Sequence, residues 1–129
     1  MIAIDTNVLV RLLTADDEEQ FRKAKELFAT KDIFIPETVI LESEWVLRYA
    51  YKFEPAAVCT ALSATLGLPN VKIQRPAVIS QAIDLARQGL DFADALHLAS
   101  SQDCGQFATF DTAFIKRAKG LTKCKVRRP

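Results

Sequence analysis

The chain has 129 residues, of which 50% are hydrophobic and 26% are charged, so its size and composition are those of one globular domain. Its 17 basic and 16 acidic side chains give a net charge of +1, which excludes a polybasic, histone-like protein. The charge is uneven, because residues 112–129 hold seven basic and no acidic side chains, whereas residues 1–111 carry a net charge of −6. A basic patch that binds nucleic acid therefore remains possible.

Other features of the whole chain exclude several protein classes. No apolar run approaches the ~20 residues that a membrane helix needs. The first residues meet Asp5 without a positive region, so we expect no signal peptide. The three cysteines are widely spaced and there is one histidine, which argues for reduced thiols and against a zinc site. We therefore expect a cytoplasmic protein that does not contact a membrane.

Short apolar runs alternate with helical segments along the chain. In chain order, residues 1–74 predict a strand at 2–4, a helix around 8–13, a helix at 16–29 capped by Asp16, a strand at 33–35, helices at 36–51 and 55–66, and a strand at 71–73. The rest predicts helices at 77–88 and 92–103, a strand at 107–109, a helix at 112–118 and a last strand at 124–126.

These strands are apolar without polar alternation, which is typical of a parallel sheet that is buried on both faces. We therefore expect a single α/β domain over residues 1–129. Its central parallel sheet is predicted to have four to five short strands, flanked by helices on both faces. Sites in such folds form at the carboxyl ends of the strands.

Two aspartates directly follow predicted strands. Asp5 comes after the first strand and Asp111 comes after the fourth. Aspartate is also a favoured helix N-cap, so a capping role and a functional role are both open at each position.

A third acid is predicted to lie on a buried helix face. Glu42 shares a helical stripe with Val39 and Val46, and burial of an unpaired carboxylate is costly. We expect Glu42 to be paired or to bind a metal ion. Glu44, in contrast, is expected to form an ordinary surface pair with Arg48, four residues later.

A fourth acid, Asp94, lies between Leu90 and Leu98, which place it on an inward helix face. Asp91 is the better N-cap for that helix, which leaves Asp94 for a functional role. Carboxylates that meet at one sheet edge repel each other, so they bind protons or hold a divalent cation. Oxygen ligands without clustered histidine or cysteine favour Mg²⁺ or Mn²⁺ over zinc.

Four segments, in this order, resemble the PIN-domain ribonucleases, especially the VapC-type toxins of toxin–antitoxin systems. They are Ile4-Asp5-Thr6-Asn7, Glu42-x-x-Trp45-Val46-Leu47, Asp91-Phe92-Ala93-Asp94-Ala95 and Thr109-Phe110-Asp111-x-x-Phe114. The resemblance implies a Mg²⁺- or Mn²⁺-dependent endoribonuclease whose catalytic, metal-binding acids are Asp5, Glu42, Asp94 and Asp111. It also implies supporting polar groups at Thr6, Asn7, Asp91 and Thr109.

The resemblance further implies an RNA substrate, a cognate antitoxin protein and a homodimer. We expect RNA contacts from the basic side chains near the site, which are Arg11, Lys116, Arg117 and Lys119. No acid follows Asp111 within one helical turn, so the number of bound cations, one or two, stays open.

Three other interpretations compete with a nuclease. A receiver-like signalling domain also holds Mg²⁺ with acids at strand ends, but it needs an acidic pair after the first strand, which Asp5-Thr6-Asn7 does not provide. A PIN-like binding module without metal is argued against by the acids at all four positions. A purely structural protein would use each acid as a cap or in a salt bridge.

Overall fold

A computed structural model describes all 129 residues. The helices are α1 (Thr6–Thr14), α2 (Glu18–Thr30), α3 (Glu37–Tyr49), α4 (Pro55–Leu66), α5 (Pro76–Arg87), α6 (Phe92–Ala99) and α7 (Thr112–Ala118). The strands are β1 (Ile2–Ala3), β2 (Ile33–Phe34), β3 (Val71–Lys72), β4 (Gln106–Ala108) and β5 (Lys125–Arg127). The predicted α/β class and the order of elements are confirmed. No helix combines the length and the apolar composition that crossing a membrane requires.

The chain forms two compact units, residues 1–74 and residues 75–129, which we call the N-terminal and C-terminal units. The N-terminal unit contains a three-stranded sheet in the order β1-β2-β3, and the C-terminal unit contains β4 paired with β5. Every pairing is parallel, as predicted. The division of five strands between two sheets was not predicted, because an apolar run reports burial and does not identify its neighbour. The expectation of one domain over the whole chain stays a prediction.

The central strand of the N-terminal unit supplies its best-buried residues. Ile33, the first residue of β2, and Ile35, which directly follows the strand, are fully buried, and β2 lies between β1 and β3. The edge strand β1 differs, because Ile2 and Ala3 are exposed and only the following Ile4 is buried. The prediction of a buried first strand is therefore wrong for two of its three residues.

The cap of α2 is Asp17 and not the predicted Asp16. The Asp17 side chain accepts a hydrogen bond from the backbone N–H of Gln20 at 3.0 Å, as an N-cap does. Asp16 instead accepts hydrogen bonds from the Tyr51 hydroxyl at 2.5 Å and from Arg11 at 3.2 Å. The bond from Tyr51 is the main reason why the pKa of Asp16 is lowered. Two consecutive aspartates suited the cap equally, and a contact distant in sequence decided between them.

The buried face of α3 is one residue out of phase with the predicted stripe. Glu44 is 4% exposed and accepts two hydrogen bonds from Arg48, at 2.7 and 3.0 Å, whereas Glu42 is exposed. The predicted burial of Glu42 and exposure of Glu44 are therefore both wrong. The helix has two apolar stripes at adjacent positions, one through Val46 and one through the fully buried Leu47, and periodicity alone does not choose between them.

In the C-terminal unit, α6 begins at Phe92 as predicted but ends four residues earlier than predicted, at Ala99. Polar side chains replace further helical bonds at this end. The Ser101 hydroxyl donates to the carbonyl of His97 at 2.8 Å, and the Gln102 amide donates to the carbonyl of Leu98 at 2.7 Å. These side chains donate to carbonyl groups of the last turn, and the Leu98 carbonyl also accepts a bond from the backbone N–H of Ser101 at 3.0 Å.

The ion pair inside α3 gives the first prediction. Replacement of Arg48 by methionine should leave the Glu44 carboxylate buried without its partner and lower the free energy of unfolding by about 3 kcal/mol. Urea unfolding of the two proteins measures this difference. The double variant Glu44→Leu/Arg48→Met removes both charges and should recover most of the loss. A loss below about 0.5 kcal/mol in the single variant would mean that the pair behaves as a surface pair.

Candidate metal centre

In the N-terminal unit, Asp5 lies after β1 and caps α1. Its Oδ1 accepts a hydrogen bond from the backbone N–H of Val8 at 3.1 Å, and the residue is exposed. Capping occupies Oδ1 alone. The second oxygen, Oδ2, accepts no hydrogen bond from the protein and is open to a ligand. The two roles that the sequence left open at Asp5 are therefore compatible with each other.

Thr6 connects the start of α1 to the middle of α3. It is the first residue of α1, it is 9% exposed, and its hydroxyl donates a hydrogen bond to Oε1 of Glu42. Because Thr6 directly follows Asp5, this bond holds the Glu42 carboxylate beside the residue next to Asp5. Asn7 is exposed and makes no side-chain hydrogen bond.

The C-terminal unit contains a cavity of about 320 Å³ in which three predicted acids come together. We call it the acid cavity. It is lined by Leu90, Asp91, Asp94, Asp111, Ala113, Phe114 and Arg117. Its apolar wall was not singled out from the sequence, although Phe114 was part of the segment that resembles PIN-domain ribonucleases. Phe114 is buried and packs against Phe107, with ring centroids 5.4 Å apart.

The starts of two helices position these acids. Asp91 caps α6, because its Oδ2 accepts a hydrogen bond from the backbone N–H of Ala93 at 3.2 Å. Asp94 is the third residue of that helix, as predicted, and it is only partly exposed. The capping role of Asp91 is shown, and the same side chain also lines the acid cavity.

Asp111 is held in the same way at the start of α7. Its Oδ1 accepts hydrogen bonds from the backbone N–H groups of Ala113 at 2.9 Å and Phe114 at 3.1 Å. Thr109 fixes the other side, since its hydroxyl oxygen accepts a bond from the backbone N–H of Asp111 at 3.1 Å. The backbone of Thr109 is itself bonded to the carbonyl of Arg127 in β5, at 2.9 Å. Hydrogen bonds therefore fix the backbone before and after Asp111.

The electrostatics of the acid cavity centre on Asp94. Partial burial and, after it, the negative charges of Asp91 and Asp111 raise the pKa of Asp94. The charges of His97 and, after it, Arg117 act in the opposite direction but do not cancel the effect. An ionised Asp94 is therefore in an unfavourable place unless a cation joins it.

The donor atoms of the acid cavity fit a hard divalent cation. They are carboxylate oxygens, the ligand type that Mg²⁺ and Mn²⁺ prefer, and no cysteine or histidine lines the cavity. No group of three acidic, histidine or cysteine side chains stands close enough to surround one ion. Mg²⁺ usually keeps several water ligands and is held by one or two carboxylates, so a pair such as Asp94 and Asp111 is sufficient.

The basic residues that were expected beside the acids lie in different places. Arg117 lines the acid cavity, whereas Lys116 and Lys119 line another cavity of the same unit. Adjacent residues of a helix point about 100° apart, which separates Lys116 from Arg117. Arg11 belongs to the N-terminal unit, where it contacts Asp16 and donates to the Tyr51 hydroxyl at 2.9 Å.

The raised pKa of Asp94 gives the second prediction, for protein in a chelating buffer. A carboxyl group whose pKa is higher in the folded than in the unfolded state destabilises the fold once it ionises. Asp94→Asn should therefore raise the Tm at pH 7, and this gain should disappear at about pH 3, below the ordinary aspartate pKa. The exposed Asp103→Asn is the matched control, for which we expect no such gain. A lower Tm of Asp94→Asn at pH 7 would contradict the repulsion described above.

A profile of the PIN domain matches residues 2–120. No curated protein matches the chain at a significant level. PIN domains are typically nucleases, and they generally use divalent metal ions. Since the match covers most of the sequence, the chain belongs to the PIN domain family.

Proposed function

We propose that the protein is a Mg²⁺- or Mn²⁺-dependent endoribonuclease that hydrolyses phosphodiester bonds of RNA. The observation that carries this proposal is the acid cavity, where burial and two neighbouring acids raise the pKa of Asp94. Neighbouring carboxylates, one of which has a raised pKa, are typical of nuclease sites that bind a cation. Membership of the PIN family supports the same chemistry.

Asp94 and Asp111 are the proposed metal ligands in the C-terminal unit. Asp5 and Glu42, which the resemblance to PIN-domain ribonucleases implies as further metal-binding acids, belong to the N-terminal unit. When bound, the cation would polarise the scissile phosphate and supply an activated water. The protein's own groups hold the acids in place, through Thr6 for Glu42 and through backbone N–H groups for Asp111.

Arg117 has a separate role in this proposal. It is the basic side chain of the acid cavity, and a guanidinium group binds phosphate oxygens through paired hydrogen bonds. In the free protein its charge offsets part of the acid repulsion that Asp94 experiences. With RNA present, Arg117 would bind a phosphate oxygen beside the metal-binding acids. Arg11 and Asn7 stay predictions as RNA-contacting and supporting residues.

We also propose that the protein is a cytoplasmic toxin of a type II toxin–antitoxin pair, inhibited by a protein antitoxin and active as a homodimer. An exposed aromatic surface on α3 supports a protein partner. Trp45 and Tyr49 are 56% and 49% exposed, and their ring centroids are 5.1 Å apart. Exposed aromatic side chains are enriched where proteins associate. A PIN-like binding module without catalytic activity is the alternative that the experiments below would reveal.

Metal binding gives the third prediction. Mg²⁺ or Mn²⁺ should raise the Tm of the native protein, because a bound cation relieves the repulsion around Asp94 and stabilises the folded state by mass action. Asp94→Asn and Asp111→Asn should each lose most of this shift. Asp103→Asn, which removes one exposed acid elsewhere, should keep it. Equal shifts in all four proteins would show that the metal does not bind at the acid cavity.

Catalysis gives the fourth prediction. Purified protein free of antitoxin should cleave RNA only when Mg²⁺ or Mn²⁺ is present. The Asp94→Asn variant should be slower by about 100-fold or more, because a metal contributes several kcal/mol to transition-state stabilisation. Sequencing of RNA ends after brief expression, with Asp5→Ala as the control, identifies the RNA that is cut. If no RNA pool is cleaved with either metal, the nuclease proposal is wrong and a binding module is favoured.

A further inference from the structure

A second cavity of the C-terminal unit, of about 810 Å³, lies between α7 and β5. We call it the basic groove. Six basic side chains line it: Lys116, Lys119, Lys123, Lys125, Arg127 and Arg128. No acidic side chain lines it, and none occurs anywhere in residues 112–129. The groove therefore collects most of the positive charge that the sequence places at this end of the chain.

The secondary structure explains how these charges come together. Lys116 lies in α7, and Lys119 directly follows the last residue of that helix as its C-cap. On β5, the exposed Lys125 and Arg127 flank Val126, which is 9% exposed. The buried residues between helix and strand hold the walls in place, while the charged ends of the long side chains stay in solvent.

The six charges have no negative partner within the protein. None of them forms a salt bridge, and Arg127 is bonded only to neutral oxygens, those of Gln106 at 3.2 Å and of the Arg128 backbone at 3.0 Å. A groove lined by charges of one sign concentrates its field and attracts ligands of the opposite sign. Its electrostatic complement is an extended polyanion.

The lining also indicates which part of a polyanion is contacted. No aromatic side chain lines the groove, so bases have no surface on which to stack. Lysine and arginine side chains instead bind phosphates without regard to base identity. The contacts are therefore expected to follow the backbone of a nucleic acid and to be independent of its sequence.

One helix connects the basic groove to the acid cavity. Ala113, Phe114 and Arg117 of α7 line the acid cavity, while Lys116 of the same helix and Lys119, which follows the helix, line the basic groove. A helix is about 10–12 Å across, which an RNA strand crosses within a few nucleotides. A strand with one phosphate at the acid cavity therefore has neighbouring phosphates within reach of the groove. This argument favours RNA over an acidic peptide.

We infer that the basic groove binds the phosphate backbone of the RNA substrate on one side of the cleavage site. The inference rests on the proposed ribonuclease function and adds a surface that binds the RNA backbone. If all six side chains contact phosphates, the logarithm of the affinity should fall with the logarithm of salt concentration with a slope of about −4.

Binding should be measured without cleavage, by fluorescence anisotropy of a labelled single-stranded RNA of mixed sequence in a chelating buffer. The variant Lys119→Gln/Lys123→Gln/Lys125→Gln should bind about tenfold to 100-fold more weakly at 0.1 M salt, with the salt slope reduced by about 2. The variant Arg22→Gln/Lys25→Gln/Lys31→Gln removes three exposed charges from the N-terminal unit. This control should bind like the native protein.

Two further measurements separate folding and partner class from groove binding. The triple lysine-to-arginine variant at 119, 123 and 125 keeps the charge and should retain the affinity, and the Tm of every variant reports its folding. Equal weakening in the groove variant and the control would overturn the inference, since it would show a charge effect without a site. Displacement of the RNA by polyglutamate at a lower charge concentration than by polyphosphate would overturn it in favour of an acidic protein partner.

Failure of this inference differs from failure of the proposed function. Suppose that the native protein cleaves RNA, and that the groove variant binds and cleaves RNA with the same affinity and rate. The groove then does not bind the substrate, and the nuclease proposal is unaffected. If the native protein binds RNA through the groove but never cleaves it, the groove stands and the catalytic proposal is wrong.

Discussion

The repulsion among fixed carboxylates is the constraint on which the rest of the C-terminal unit depends. Asp91 and Asp111 are N-caps, so the backbone N–H groups that start α6 and α7 hold them in place. Asp94 follows within the first turn of α6, so the helix fixes its backbone position. The helix starts thus supply the energy that keeps like charges together, and they do so with hydrogen bonds that do not neutralise them.

Capping also explains why single acids were ambiguous in the sequence. A cap and a metal ligand both require a short carboxylate at the point where a helix begins, so Asp5 and Asp111 suit both roles for the same geometric reason. The structure shows the caps, and at both residues the capping bonds reach only Oδ1. The second oxygen, Oδ2, is the atom through which a capping aspartate is able to bind a metal ion as well.

The class of fold, the order of elements and most helix bounds followed from periodicity, because those features depend on neighbours in sequence. The α4 and α7 bounds, for example, match the predicted ranges. Two of the errors arise because tertiary contacts decide between neighbouring residues. The Tyr51 hydroxyl binds the Asp16 side chain, which leaves Asp17 to cap α2. The burial of Leu47 sets the rotation of α3 and so determines which of its glutamates is buried. Neither choice leaves a trace in the local pattern.

The candidate site shows the same division at finer scale. Its acids were predicted from their positions at strand ends and helix starts. The grouping of the basic residues was not predicted, because it depends on how α7 is rotated about its axis. Arg117 lines the cavity of the acids, while Lys116, its neighbour in sequence, lines a groove whose charged residues are all basic. A helix of seven residues therefore lies between the acid cavity and the basic groove. The net charge of +1 conceals this arrangement, because opposite charges cancel in a sum although they line different cavities.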